Sequence, residues 1–404
     1  MKSRLPLLFV LLTMGIDAIG IGIIAPVMPD LILEVEGGHL GSAAVWGGIM
    51  AASFAVMQFL CSPTLGNLSD RFGRRPVLLV SLLFMAADYL VMGIAHSIWL
   101  LLIGRIIGGI TASTQATVAA YIADVSKPEE KAQNFGLIGA AFGIGFVLGP
   151  LFGAFFAEFG VRAPFYAAAA FAFGNMVLGW FVLPETVTDE IRRPFEWKRA
   201  NPVGGLMQIG RLPGLRILLT VLFLLQVAFT VYPAVWSFYC AEQFGWEPRM
   251  IGLSLAAYGV LMALVQGWLI RYFLRRIGET RTLLFGLCFE CVTFVGYGFV
   301  TETWMAFALI PIGALGGVAL PALQGIMSRI AFDNQQGELQ GVVASVNSLG
   351  IILSPLIMTA IFYEFVTAGA LFYLPGAPFL LSAVLIVAAM LLVLVEPRAP
   401  RAQW

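Results

Sequence analysis

Apolar stretches of about 20 residues recur along the whole chain, each bounded by charged or turn-forming residues. At 1.5 Å per residue, a helix of that length crosses the roughly 30 Å hydrocarbon core of a bilayer. The pattern predicts twelve such spans, at 5–28, 43–65, 76–95, 98–123, 135–157, 163–183, 215–240, 250–271, 281–300, 304–328, 339–365 and 376–395. The predicted fold is an all-α membrane protein, and an even number of spans puts both chain ends on one side. Between the sixth and seventh spans, 184–214 is rich in charge and has prolines at 184, 194, 202 and 213. It reads as a linker between two six-helix halves, 1–183 and 215–404, and a short surface helix is expected in it.

Composition narrows the class. With 60% hydrophobic and 11% charged residues, against about 25% charged in a soluble globule, the chain belongs in the lipid bilayer. The first apolar run is too long for a signal-peptide core and lacks a small-residue cleavage site after it, so it reads as a retained span. The zero net charge is less telling than where the charges sit. Of 23 Lys and Arg, twenty fall at the chain ends or in the connections after spans 2, 4, 6, 8 and 10. Arg162 and Arg249 lie on the other side and Arg105 inside a span, so the positive-inside rule places both termini in the cytoplasm. Cys61, Cys240, Cys288 and Cys291 form no disulfide framework. The C-x-x-C at 288–291 lies within a span and lacks nearby histidines, so it reads as a pair of buried small hydrophobes rather than a metal site.

The halves are related to each other. A shift of 205 residues lays Gly73 on Gly278, Trp99 on Trp304, Gly136 on Gly341, Gly145 on Gly350 and Pro150 on Pro355. One offset without gaps over this stretch indicates a duplication.

Four charges lie inside the spans: Asp17, Asp88, Arg105 and Glu290. Each costs roughly 2.5–3.5 kcal/mol at a helix centre, so each should face the bundle interior with a partner. Asp17 and Asp88 fall near the middle of spans 1 and 3, and Arg105 enters span 4 from the opposite side, within reach of either aspartate. A carboxylate in a desolvated cavity can take a proton from one side and release it on the other as access alternates, which makes this set a candidate proton relay. Uncharged polar residues in the spans are candidate cavity lining: Gln58, Gln115, Gln226, Gln266 and Gln324, with Thr111, Ser113, Asn175 and Asn347. Trp236 and Phe238 are candidates for stacking on a ligand or for packing.

Between spans 2 and 3, Gly66-Asn67-Leu68-Ser69-Asp70-Arg71-Phe72-Gly73-Arg74-Arg75-Pro76 is a dense polar knot. It is expected to be a tight loop, with two glycines for close backbone approach and Pro76 in the first turn of the next helix. Ser69, Asp70, Arg71, Arg74 and Arg75 are candidate gating residues, with Asp124 at the inner end of span 4 as a partner. Span 5 carries Gly145, Gly149, Pro150 and Gly153, a spacing that lets helices approach closely and invites a bend.

The knot resembles the signature loop of the major facilitator superfamily, in the form found in its drug:proton antiporters. The glycine-proline run of span 5 is similar to the motif that marks exporters among them. Met14 to Gly22, Ala87-Asp88-Tyr89-Leu90, Gly104-Arg105, Phe244-Gly245-Trp246 and Gly317 to Gly325 resemble landmarks of the bacterial tetracycline efflux proteins. That resemblance implies a proton-driven exporter of a tetracycline or related amphipathic drug in the bacterial inner membrane, functional as a monomer. It also implies that Asp17, Asp88, Arg105 and Glu290 match the family's embedded charges, and Ser69, Asp70 and Arg74 its gating loop. No cofactor, resident metal or nucleic acid is expected; a divalent ion would travel only as cargo, chelated by the drug. Two departures stand out: Glu290 where the best-known members carry aspartate, and Met262 where they can carry histidine. The alternatives are a transporter of an unidentified metabolite and a non-transporting receptor or scaffold. No nucleophile-histidine or metal-ligand constellation suggests an enzyme, and no phosphate-binding loop suggests ATP as the drive.

Overall fold

Helices form where the apolar runs lie, and several of them end close to a proline or a glycine. A computed structural model describes residues 5–112, 114–126, 130–189, 192–196, 201–202, 204, 213–331, 335–367, 369–370 and 372–395. The first half holds α1 (Leu5–Ile24), α2 (Met28–Glu36), α3 (Leu40–Phe72), α4 (Arg74–Ile94), α5 (Ile98–Thr111), α6 (Thr114–Val125), α7 (Lys131–Ala157) and α8 (Ala163–Val182). The second holds α9 (Arg216–Phe229), α10 (Val231–Phe244), α11 (Pro248–Leu264), a π turn (Val265–Leu269), α12 (Ile270–Ile277), α13 (Glu279–Phe299), α14 (Thr303–Gly316), α15 (Ala319–Ile330), α16 (Gln336–Val366) and α17 (Ala377–Val395). No strand occurs among the described residues.

Eleven of these stretches are long and apolar enough to cross a membrane, counting α9–α10, α11–α12 and α14–α15 as one each. The remaining predicted span, the fourth, at 98–123, is broken between α5 and α6 at Ala112. A run of glycine, threonine and serine there supports a helix weakly. The breaks at Thr230 and at Gly317-Val318 each precede a proline by three residues, Pro233 and Pro321. A proline ring removes one helical hydrogen bond and crowds the carbonyl four residues earlier. The first span ends at Ile24 rather than 28 because Pro26 disfavours helix at Ala25. A short helix, α2, then follows; its end is closed by Gly37 at φ 70°.

The polar knot is not a loop. Helix α3 runs straight through Gly66 to Phe72 and α4 starts at Arg74, so Gly73 alone, at φ 110°, turns the chain. A positive φ needs no other device when the residue is glycine. Gly66 meets open space, so the expected close approach belongs to Gly73 only. Pro76 does lie in the first turn of α4. Nearly half of the linker, including 205–212, lies outside the described residues, and the described part holds no complete helix ahead of the short turn at Pro213–Leu215.

Two compact units emerge, one of residues 1–202 with 245–259 and the other of residues 203–244 with 260–404. In the first unit α1 and α7 meet backbone to backbone. A Cβ on Gly149 would lie 2.7 Å from the Gly22 Cα, and one on Gly153 would lie 2.9 Å from Pro26. Gly145 faces Gly15 and Ala18 in the same seam. Gly252, near the start of α11, packs on the Pro150 carbonyl and Ala154.

In the second unit α13 packs on α14, α15 and α17, and α9 packs on α16 and α17. Its core is aromatic: Trp236 lies 4.9 Å from Tyr297 between ring centres, and Tyr239 lies 4.9 Å from Phe379. Trp236 and Phe238 are both buried, so they serve packing within this unit. The four cysteines are free thiols. Cys240 is buried, but Cys288 is exposed and Cys291 half-buried, so the C-x-x-C pair sits on the outside of α13 rather than in the core.

Candidate functional site

The embedded charges of the first unit gather where α1, α4, α5 and α6 meet. Asp17 on α1 is 5% exposed; its Oδ2 accepts a hydrogen bond from Thr114 Oγ1 at 3.0 Å, and its Oδ1 has no protein partner. Asp88 on α4 is 2% exposed, with Arg105 Nη1 4.0 Å from its Oδ2 and no partner for Oδ1. Of the two aspartates within expected reach, Arg105 meets Asp88, at the outer limit of an ion pair. Its guanidinium also lies 4.2 Å from the centre of the Phe54 ring, a second source of stabilisation for a desolvated cation. Glycine makes room for this carboxylate: a Cβ on Gly104 would stand 3.0 Å from Asp88 Oδ1, and Gly108 presses on the same group. Tyr89 is buried beside Asp88 with its hydroxyl against Gly20, which brings α4 onto the turn of α1 that follows Asp17.

Glu290 sits at the centre of the second unit with no exposed surface. Tyr232 donates to its Oε2 at 3.4 Å, and Oε1 has no protein partner. Gly316, at the end of α14, lies directly against the carboxyl group, so the break between α14 and α15 is what leaves space for an acid. Gln266 reaches the same break: its Nε2 donates to the Gly317 carbonyl at 3.4 Å and lies 3.4 Å from the Met262 sulfur. Glu290, Tyr232, Met262, Gln266 and the 316–317 break thus form one neighbourhood. Tyr232 was not singled out from the sequence, where it is one aromatic among many.

The remaining polar candidates are scattered. Gln58 donates to the Ala112 carbonyl at 3.3 Å, at the α5–α6 break. Gln226 bonds Thr230 at 3.4 Å and packs on Gly350, while Gln324 is exposed on α15. The Gln115 side chain and Ser113 lie outside the described residues. Thr111 bonds back to its own helix, whereas Asn175 accepts from Thr13 at 3.4 Å. An apolar groove of about 650 Å³ lies between α3, α4 and α5, lined by residues such as Leu65, Phe72 and Val80. None of the embedded charges lines it.

At the basic end of the first unit, Arg74 is the hub. It forms an ion pair with Asp70, donates to Ser69 Oγ at 2.6 Å, and places Nε 3.3 Å from Asp124 Oδ2. Asp124 is therefore its partner, as expected. Arg75 turns away, donating to the Trp180 carbonyl at 2.7 Å with its guanidinium 5.5 Å from the Trp180 ring centre. Arg71 is exposed and lies over Phe72.

A residue missed in the sequence completes this end. Glu185 accepts from the backbone N–H groups of Arg74 at 2.9 Å and Arg75 at 3.2 Å, and from those of Thr186 and Val187. It thus fills the open amide positions at the start of α4. Thr186 donates to Asp124 at 3.1 Å, and Asn67 donates to the Glu196 carbonyl at 2.7 Å. The first part of the linker is strapped across the end of α3.

Comparison with known proteins agrees with this architecture. The family model described as Major Facilitator Superfamily matches residues 10–271 and 217–403. The tetracycline resistance protein of class C from Escherichia coli is 42% identical over 362 residues, 90% of this chain and 91% of that one. The class G protein from Vibrio anguillarum is 38% identical over 367 residues, 89% of this chain and 90% of that one. The crystal structure of the nucleoside transporter NupG has a TM-score of 0.81, covering 98% of this chain and 100% of that chain, at 11% identity. At that identity the likeness is one of fold alone. Matched by the family model over nearly its whole length, and by these relatives over about nine-tenths of it, the chain belongs to the Major Facilitator Superfamily.

Proposed function

We propose that the protein is a proton-coupled antiporter that exports tetracycline or a related amphipathic drug across a bacterial inner membrane by alternating access. Both termini lie in the cytoplasm, and the monomer is the working unit. The observation that carries this reading is that Asp17, Asp88 and Glu290 are all buried within predicted spans, each with one carboxylate oxygen that no protein donor reaches. A purely structural acid in hydrocarbon would be paired throughout, because an unpaired one is costly. The relatives' designation as tetracycline resistance proteins supports the substrate class.

In this mechanism the open oxygens receive either a proton or the cationic group of the drug. The two ligands compete for the same ionised acids, so binding of one favours release of the other, and exchange follows. Arg105 holds Asp88 in place without neutralising it fully. Glu290 faces Tyr232 and the 316–317 break, with Gln266 at the same break as a substrate contact. Ser69, Asp70, Arg71, Arg74, Arg75 and Asp124 form the inner gate, whose ion pairs bias one access state over the other. Gly145, Gly149, Pro150 and Gly153 supply the seam on which the helices rock. The proton gradient is the drive and no cofactor takes part; a divalent ion chelated by the drug is cargo.

Inverted membrane vesicles, acidified inside, test this directly. Tetracycline with Mg²⁺ should accumulate, the accumulation should collapse with a protonophore, and Asp88→Asn should abolish it at normal membrane abundance. Protonophore-insensitive uptake, or unchanged transport in that variant, would overturn the reading. Transport of another amphipathic drug in place of tetracycline would keep the mechanism and replace the substrate.

A further inference from the structure

In the second unit the start of α13 and the end of α15 are joined by an ion pair, with Arg329 Nη2 2.9 Å from Glu279 Oε1. The 205-residue offset between the halves lays Glu279 on Arg74 and Arg329 on Asp124. The two pairs occupy the same place in their own units. Each begins at the first residue of a helix, just after a positive-φ glycine, Gly73 at 110° and Gly278 at 77°. Each ends on the last turns of the helix beyond the next break. The charges, however, are exchanged.

Helix electrostatics makes the exchange intelligible. Arg74 puts a cation at a helix amino end, where the dipole disfavours it, and the linker's Glu185 supplies the acid that the open amides need. Glu279 is itself an acid in the first turn of α13. The second unit thus obtains the favourable end charge and the ion pair from one side chain. Gly325 makes this fit, since a Cβ there would stand 3.1 Å from Glu279 Oε1. Glu279 is 20% exposed and Arg329 77% exposed, so one partner is seated and the other reaches in from solvent. That asymmetry suits a contact that is made and released rather than one fixed in a core.

We propose that Glu279 and Arg329 form a second gate latch, the polarity-reversed counterpart of Arg74 and Asp124. Its part in transport rests on the antiporter reading above, whereas its part in holding the helix ends does not. A charge-exchange cycle separates the two: wild type, Glu279→Arg, Arg329→Glu and the double variant, in lipid nanodiscs and in vesicles. The readouts are hydrogen exchange at 279–283 and 326–330, and the maximal rate and half-saturating concentration of proton-driven uptake.

Each single reversal should speed exchange at both helix ends and lower the maximal rate by roughly two- to fivefold, the scale of one exposed ion pair. The half-saturating concentration should stay unchanged. The double reversal should recover most of both losses, although the arginine at the helix start remains unfavourable. If a reversal prevents accumulation of the protein, Glu279→Gln and Arg329→Gln should give losses that fail to add. A double variant no better than the singles, or singles indistinguishable from wild type, would overturn the latch. Rescued exchange without any uptake in the wild type would uphold the latch at the helix ends and remove its transport role along with the antiporter reading.

Discussion

Glu185 shows how a single side chain can be decisive and still invisible in a sequence. It accepts four backbone N–H groups, two of them more than a hundred residues away. A helix start stripped of such an acceptor loses about 0.5–2 kcal/mol. Glu185→Ala should therefore speed hydrogen exchange at residues 74–77, with Glu185→Gln falling between it and wild type; equal exchange in all three would dismiss the cap. Nothing local marks this residue, because the linker offers several acids and no periodicity to rank them. Asp124 was legible for the opposite reason: the length of a span fixes which residue emerges at its end. The embedded acids were legible as well, since few charges survive in hydrocarbon, whereas Tyr232 could be linked to Glu290 only once the chain was folded.

For the helices, the hydrophobic pattern predicted what lipid demands and missed what backbone chemistry adds. Span positions follow from apolar length, and the observed ends differ by a few residues. The Gly66–Pro76 segment was misjudged because its polar residues suggest a loop, yet a helix leaving the bilayer can continue in water. One glycine then suffices to turn it. The α1–α7 seam rests on absent side chains, which gives a sharp test. Gly149→Leu forces a side chain where a Cβ would already stand 2.7 Å from the Gly22 Cα. Overpacking of this kind costs about 1–3 kcal/mol, and the midpoint of thermal unfolding in detergent should fall accordingly. Gly139→Leu on the same helix, where a Cβ would meet nothing within 4 Å, should leave it nearly unchanged.

Across the whole molecule, chain order and packing order part company at α11, whose first residues, through Gly259, belong to the first unit. There Asp30 on α2 faces Glu247. Burial first, and the Glu247 carboxylate second, push the Asp30 carboxyl up from its ordinary value of 3.8. The packed form holds this proton more tightly than the open form, so packing of α2 weakens as pH rises above that ordinary value. Hydrogen exchange over residues 28–36, corrected for its intrinsic pH dependence, should show more protection below pH 4 than at pH 7. Asp30→Asn should flatten the difference, and a flat wild-type profile would refute the coupling.

The π turn at Val265–Leu269 carries a different kind of information. Beyond it the halves align at 205 residues, but ahead of it the better register is 204, which pairs Gly48 with Gly252, Ala52 with Ala256, Phe54 with Tyr258 and Val56 with Val260. One residue has therefore been gained within α11–α12 since the halves diverged, or lost from its counterpart. An α-helix that takes up an extra residue must either rotate everything beyond it by about 100° or swallow the residue in a wider turn. This helix did the latter. Gly278 and Glu279 keep the backbone roles of Gly73 and Arg74, a positive-φ turn and the first helical residue, while Gln266 stands in the widened turn beside the break that faces Glu290. The bulge thus marks the point along the chain where the registers of the two halves part by one residue.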